Sequence, residues 1–341
     1  MTSAAQSGST ARYRVPAPDR ARLIDWPDDF GTRFAIFVDT EEEFDWTAPL
    51  SREGHGVAAL AALPAAHARF AARGVPLTYM VDYPIAAAPA AIDRMREVLA
   101  QGYAAIGTQL HAWVNPPFEE ALTPANSYAG NLPPALEGAK IDALTDAITA
   151  AFGTRPIAYR AGRYGIGPNT LGLLAERGYA LDTSMRVGYA YAKDGGPDFT
   201  AIGNAAFRAG PDGRVVELPL TTVFAGALRG RGAALHRRLG PIPKARGLFA
   251  QLGLLSRVAL TPEDMPVAEA LAAVRIALGE GVRLLNFSFH SPSVAPGHTP
   301  YVRDTADLAR FHGWWEQVLD LLDREGARPA ALDQIVAATR A

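Results

Sequence analysis

Apolar runs alternate along this chain with stretches of helical periodicity. Residues 34–38, FAIFV, are an unbroken apolar run of the kind that forms a strand buried on both faces. Comparable strands are read over 76–84, 104–110, 156–159, 179–181, 215–218 and 282–289. Between them apolar residues recur at helical spacing over 57–72, 89–100, 137–152, 168–177, 267–278 and 304–325. Gly74, Gly102 and Gly178 stand where three of these helices should stop. A short strand near 328–330 and a closing helix complete the pattern. Strands alternating with helices imply a parallel sheet, and seven such units without a break in composition predict a closed or nearly closed β/α barrel.

The residues at the ends of the apolar runs carry the chemistry. The first run enters Asp39-Thr-Glu41-Glu-Glu43, others reach Asp82, His111, Asp182 and His290, and the fourth delivers Arg160. The carboxyl ends of parallel strands are where such folds place their ligands. One acidic turn is as readily a solvated surface feature; so many ionisable groups at one end of one sheet are not. The irregular stretches 113–134, 188–213 and 291–304 belong to the same face, and Tyr189, Tyr191 and Phe199 offer aromatic platforms for a sugar. No G-x-G-x-x-G or P-loop comes after any strand, which argues against nucleotide binding.

Composition adds boundaries. The chain has 341 residues, a net charge of −2 and no cysteine, so disulfides and thiol chemistry are excluded and no whole-molecule charge favours nucleic acid. Residues 1–30 read as a flexible lead-in without the apolar core of a signal peptide, and no stretch is long enough to span a bilayer. The expectation is a cytoplasmic protein with one domain over 31–341. Within it, about 224–262 forms a basic insert: no acidic residue lies between Leu218 and Pro262, against seven arginines and lysines. That insert reads as a helical pair with a solvated basic side, or as a docking surface for an anionic glycan or membrane.

Hydrolysis of an amide or ester needs a base for water, an acid for the leaving group and stabilisation of the oxyanion. Asp39 suits the first role and His290 the second, with Asp182 to hold the imidazole and Arg160 to orient Asp39. Glu41 and His111 are donors of the kind a zinc or similar divalent ion takes. Gln109, Trp113, Arg163 and Tyr164 are the candidate substrate-binding residues.

FVDTEEEF, IGTQLHAWVNPP, YRAGRYG, LDTSM and LNFSFHSPS, in this order, resemble the motifs of the polysaccharide deacetylase (NodB-homology) family, most closely its WalW-like branch. The resemblance implies a distorted seven-stranded β/α barrel and removal of acetyl groups from amino-sugar polymers with a divalent metal. By the motif match Asp39 is the base, Glu41 a metal ligand, Arg160 the brace of the base, Asp182 the partner of the histidine and His290 the acid. The second motif differs from the family's pair of histidines, with His111 as ligand and Asn115 at the four-residue spacing. The expected function is hydrolysis of a non-peptide carbon–nitrogen bond in a carbohydrate substrate. The alternatives are a metal-independent amide or ureide hydrolase of this fold, and a non-catalytic glycan-binding relative.

Overall fold

The structure is a computed structural model that describes residues 13–45, 48–192 and 195–340. Its sheet runs in the order β10-β1-β2-β3-β4-β5-β7-β6. The strands are β1 (Arg33–Thr40), β2 (Leu77–Val81), β3 (Ala104–Leu110), β4 (Ala158–Ala161), β5 (Leu181–Asp182), β6 (Phe207–Ala209), β7 (Val215–Glu217), β8 (Thr222–Ala225), β9 (Ser256–Ala259), β10 (Leu284–His290) and β11 (Arg328–Pro329). Seven of them, β1 to β5 with β7 and β10, pair in parallel along that path. They correspond to the seven apolar runs of the sequence, with β4 and β5 displaced by one or two residues toward the carboxyl side, and curl into a distorted barrel. Antiparallel β6 at the edge and the separate β8–β9 ribbon carry no apolar pattern strong enough to mark them as strands.

Side-chain alternation divides the core in two. Ala35, Phe37, Met80, Ala158, Leu181, Leu218 and Leu284 fill the inside of the curl. Their neighbours Ile36, Val38, Tyr79, Tyr159, Leu285, Phe287 and Phe289 face outward and pack on the surrounding helices. Phe70 and Trp315 lie against Phe289 there, with ring centroids 6.1 and 5.5 Å away. The helices Pro89–Ala100, Pro134–Phe152, Val267–Gly279 and Thr305–Arg324 lie where the apolar spacing puts them. The second strand is shorter than read: it stops at Val81, and Asp82 caps a helix over Tyr83–Ala87 by accepting from Ile85 N at 3.0 Å.

β7 and β10 are not paired, so the barrel closes by other means. Thr221 N donates to Asn286 O at 3.2 Å, and Ser288 N to Leu260 O at 3.2 Å. The buried Asn286 amide donates to Leu218 O at 3.0 Å, Pro219 O at 3.3 Å and Thr183 Oγ1 at 2.8 Å. One side chain thus supplies the bonds that a missing strand ladder would make.

One expectation of organisation changes. Residues 13–30 are not a loose lead-in: Val15, Trp26 and Phe30 are buried, Arg14 bridges to Asp198 and Leu23 to Phe207. Trp26 and Phe30 stack at 4.4 Å, an apolar anchor hidden among the surrounding polar residues. Residues 1–12 lie outside the described residues. The acid-free stretch is the β8–β9 ribbon carrying helices Gly232–Leu239 and Ala245–Gln251. Among the described residues no helix is long and apolar enough to cross a membrane.

Candidate active site

The inward-facing positions at the carboxyl end of the barrel converge. β1 and β10 pair in a register that sets Asp39 beside His290. Asp39 Oδ2 lies 3.7 Å from His290 Nε2, too far for a hydrogen bond and close enough for an ion pair. From across the barrel Arg160 Nη1 donates to Asp39 Oδ1 at 2.5 Å. Arg160 is itself aimed by Thr183, whose carbonyl accepts from Nε at 3.1 Å. Arg160 and Asp39 are almost fully buried, while the His290 side chain keeps 19% of its surface exposed. The pair therefore opens to solvent on the histidine side only.

His290 is held by Glu263. Its Nδ1 meets Glu263 Oε2 at 2.6 Å, its backbone N donates to Oε1 at 3.0 Å, and Ser293 Oγ donates to the same oxygen at 2.6 Å. Burial alone would lower the His290 pKa. Glu263, then Glu41 and Asp39, outweigh it and push the value up to about 10, so the ring is an imidazolium at neutral pH.

Asp182 is elsewhere. β4 and β5 register Tyr159 with Asp182, and β5 and β7 register Asp182 with Glu217, so all three face outward. Ser184 Oγ donates to Asp182 Oδ1 at 2.5 Å, and Asp182 shares a hydrogen bond with Glu217. Burial, then the neighbouring Asp182 charge, raises Glu217 well above the carboxylate range, so Glu217 keeps the shared proton. The expectation that Asp182 holds the histidine fails by one residue of strand parity, which sends its side chain to the other face of the sheet.

A second group forms one step around the rim. Gln109 Nε2 lies 3.1 Å from Glu41 Oε2 and 3.2 Å from His111 Nε2, and the last two atoms are 3.4 Å apart. A tetrahedral cation with bonds of about 2.0–2.1 Å spaces its donors about 3.3 Å apart. The two heavy atoms of a Gln amide occupy equivalent places, and Gln109 Oε1 has no partner as it stands. Turning the amide presents that oxygen to the triangle, so Glu41, Gln109 and His111 fit a zinc-like divalent ion.

His111 Nδ1 is occupied from behind by Glu42 Oε2 at 2.8 Å, with Asp82 Oδ2 at 3.8 Å. These three groups sit close enough to hold an ion themselves, within 4.8 Å of one another. Their hydrogen bonding assigns them a supporting part instead. Asp82 Oδ2 accepts from Glu42 N at 2.8 Å, and Glu42 on Nδ1 fixes the tautomer that presents Nε2 to Glu41 and Gln109. Trp113 stacks on the other side of the ring, centroids 4.3 Å apart and 19° from parallel. A Cβ added to Gly162 would come within 2.3 Å of His111 Cδ2, so the AGRYG turn needs glycine there.

Asn115 takes no part. Its Nδ2 donates to Pro116 O at 2.7 Å and Lys140 O at 3.0 Å, pinning the loop to the helix Pro134–Phe152. The four-residue spacing misleads because β3 ends at Leu110, and beyond it the chain turns away from the barrel mouth. Trp113, read as substrate-binding, is 3% exposed and supports His111, though it also lines a cavity of about 530 Å³ with Phe44, His55, Pro124 and Arg163. Arg163 and Tyr164 have φ of 54° and 60°, a left-handed turn held by Arg163 over the Tyr128 ring and by Tyr164 stacked on Tyr191. A larger cavity of about 710 Å³, lined by Gly74, Tyr103, Phe152 and Leu332, sits at the other end of the strands and holds none of these groups.

No protein-family model matches the sequence, and no curated protein does. Among solved structures, the chain is similar to a Mycobacterium smegmatis protein described as a polysaccharide deacetylase. The identity is 17% and the TM-score 0.53, over 96% of this chain and 94% of that one. The chain has the polysaccharide-deacetylase fold. Two further likenesses score lower. One is the chitin deacetylase of Colletotrichum lindemuthianum, at 12% identity and TM-score 0.43 over 93% and 88% of the two chains. The other is the 4-alpha-glucanotransferase of Thermococcus litoralis, at 11% and 0.49 over 90% and 40%.

Glu263 carries no signal of its part in the sequence, because it lies in TPEDMP, outside every strand. Its one distinguishing mark is its position as the first acid after the basic stretch. Glu42 is visible within the acidic run, but only the tertiary contact with His111 separates its part from that of Glu41. His298, on the loop after β10, meets Glu43 Oε2 at 2.8 Å and closes the rim.

Proposed function

We propose that this protein hydrolyses a non-peptide carbon–nitrogen bond, releasing an acetyl group from an acetylated amino sugar. The observation that carries the reading is the Asp39–His290 pair, a braced carboxylate facing a charged imidazolium across 3.7 Å. Asp39 is the base that takes a proton from the attacking water, and Arg160 fixes its orientation. His290 delivers a proton from Nε2 to the departing nitrogen, while Glu263 on Nδ1 stabilises the imidazolium and fixes the ring. A divalent ion held by Glu41, Gln109 and His111 would polarise the scissile carbonyl and stabilise the developing oxyanion. The sequence motifs favour the WalW-like branch of the deacetylases.

A metal-free version has an observation of its own. As oriented, the Gln109 amide donates to Glu41 and lies within hydrogen-bond distance of His111, so it links the two side chains without a cation.

Acetate release from acetylated oligosaccharides tests the reading. Asp39→Asn and His290→Gln should each lower kcat/KM by about 10²–10⁴-fold with unchanged circular dichroism. Activity surviving both substitutions would remove the hydrolase and leave a glycan-binding protein. Dialysis against a chelator separates the two versions: loss of activity restored by zinc supports the ion, and unchanged activity supports the metal-free chemistry.

A further inference from the structure

The Asp39–His290 mouth has a positively charged neighbour that the hydrolytic scheme does not use. Arg186 lies four residues beyond β5, and its backbone bridges to Leu220 in the segment that closes the barrel. Its guanidinium lies 4.0 Å from the ring centroid of Tyr189 and 5.3 Å from that of Tyr164. Arg257, delivered by β9 of the basic ribbon, covers Tyr189 at 3.3 Å and donates to Gly188 O at 2.8 Å. Tyr191 stacks on both tyrosines, with centroid distances of 5.5 and 6.3 Å. The buried Arg186 Nε has no hydrogen-bond partner, and among the described residues neither arginine pairs with a carboxylate.

Burial opposes the charge on both arginines. The tyrosines around Arg186 outweigh it there, whereas Arg257 is held below its ordinary value by burial and by the like-charged Arg186 and Arg246. The charge continues outward. A cavity of about 120 Å³ is lined by Arg237, Arg246 and Arg257 with Thr200, Phe224 and His236. Burial, then Arg257 and Arg246, lowers His236 to about 4, so it adds no charge. Tyr164 ties the strip to the reaction centre, since it follows Arg160 by four residues in the turn after β4 and its ring lies under Arg186 at 5.3 Å.

We propose that Arg186 and Arg257, with Tyr164, Tyr189 and Tyr191 around them, form an anion-binding subsite beside the Asp39–His290 pair, and that the substrate is an acidic glycan. The guanidinium groups take a carboxylate or phosphate on the sugar, and the tyrosine rings beneath them hold the two arginines in place. Arg237 and Arg246 meet the next anionic group along the chain. The basic ribbon is then part of the substrate groove, and its lack of acidic residues is explained by that use. This inference deepens the hydrolase reading and rests on it for the identity of the reacting group.

The test compares two oligosaccharides of equal length, the N-acetylglucosamine tetramer and a tetrasaccharide alternating N-acetylglucosamine with glucuronate. Each is titrated calorimetrically into the wild-type chain and, to suppress turnover, into its Asp39→Asn variant. The acidic sugar should bind at least ~10-fold more tightly at low ionic strength, and the advantage should shrink several-fold in about 0.5 M salt. Arg186→Gln and Arg257→Gln should each remove most of that preference while changing the neutral tetramer by less than about twofold; Arg186→Lys should keep part of it. Competition by free glucuronate or by inorganic phosphate identifies the group recognised. Equal affinity for the two sugars, or a preference that survives both glutamine variants, overturns the subsite. Acetate release separates this outcome from the other: a preference for the acidic sugar without any release retains the subsite and removes the hydrolase.

Discussion

Glu263 decides the electrostatics of the site. Burial works against a charged His290, and the Glu263 carboxylate is the largest influence in the other direction. The folded-state pKa of about 10 lies above the ordinary histidine value. The protonated ring therefore contributes stability that is fully present below about pH 6.5 and is lost as pH rises through 10. In the proposed mechanism the same protonation supplies the acid, so the alkaline limb of kcat/KM should fall late. Glu263→Gln removes the carboxylate charge while keeping a hydrogen-bonding side chain. Its alkaline limb should move toward neutral pH by at least about one unit, with activity at pH 9 down about twofold or more. A pH–rate profile superimposable on that of the wild type would show that Glu263 does not set the acid.

At the scale of elements, the loop after β3 depends on one buried lysine. Lys140, on the helix Pro134–Phe152, donates to Ala112 O, Asn115 O and Pro117 O at 2.9, 2.6 and 2.7 Å and reaches Glu120 at 3.2 Å. With Asn115 it ties down the chain that carries His111 and Trp113. Lys140→Met should cost about 3–5 kcal/mol in chemical denaturation, because Glu120 and three carbonyls lose their charged partner. A cost below about 1 kcal/mol would mean that the loop finds other partners. The apolar runs make strands and helices legible here, since their periodicity reflects which faces are buried. Loop conformation is not legible: WVNPP suggests a metal ligand at Asn115, whereas the loop uses that amide to hold itself together.

For the whole molecule, the barrel is closed by Asn286 where paired strands are missing. Its amide joins β10 to Thr183 and to the Leu218–Pro219 carbonyls, and Thr183 in turn aims Arg160 at Asp39. Asn286→Leu should lower stability by about 2–4 kcal/mol, since the Pro219 carbonyl and the Thr183 hydroxyl oxygen lose their buried donor. It should also reduce kcat more than it changes KM, because Arg160 would hold Asp39, the proposed base, less firmly. Equal stability in urea unfolding would show that closure rests on the backbone bonds of Thr221 and Leu260 alone. The basic ribbon belongs to this scale too: β8 and β9 are short and irregularly patterned, yet the ribbon brings Arg257 over Tyr189.

Local residue order was enough to specify the seven parallel strands, the helices between them and the identity of the residues at the strand ends. Those features reflect periodicity and the direction of parallel connections, both written in neighbouring residues. Which of the strand-end residues meet is settled by the assembled barrel. Asp182 faces away because strand parity is set by register with β4 and β7, and Glu263 reaches His290 from a loop 27 positions earlier in the chain. Gln109, not Asn115, completes the triangle with Glu41 and His111, because donor spacing in space depends on where β3 ends. Contacts between distant segments depend on register and closure, which no local pattern encodes.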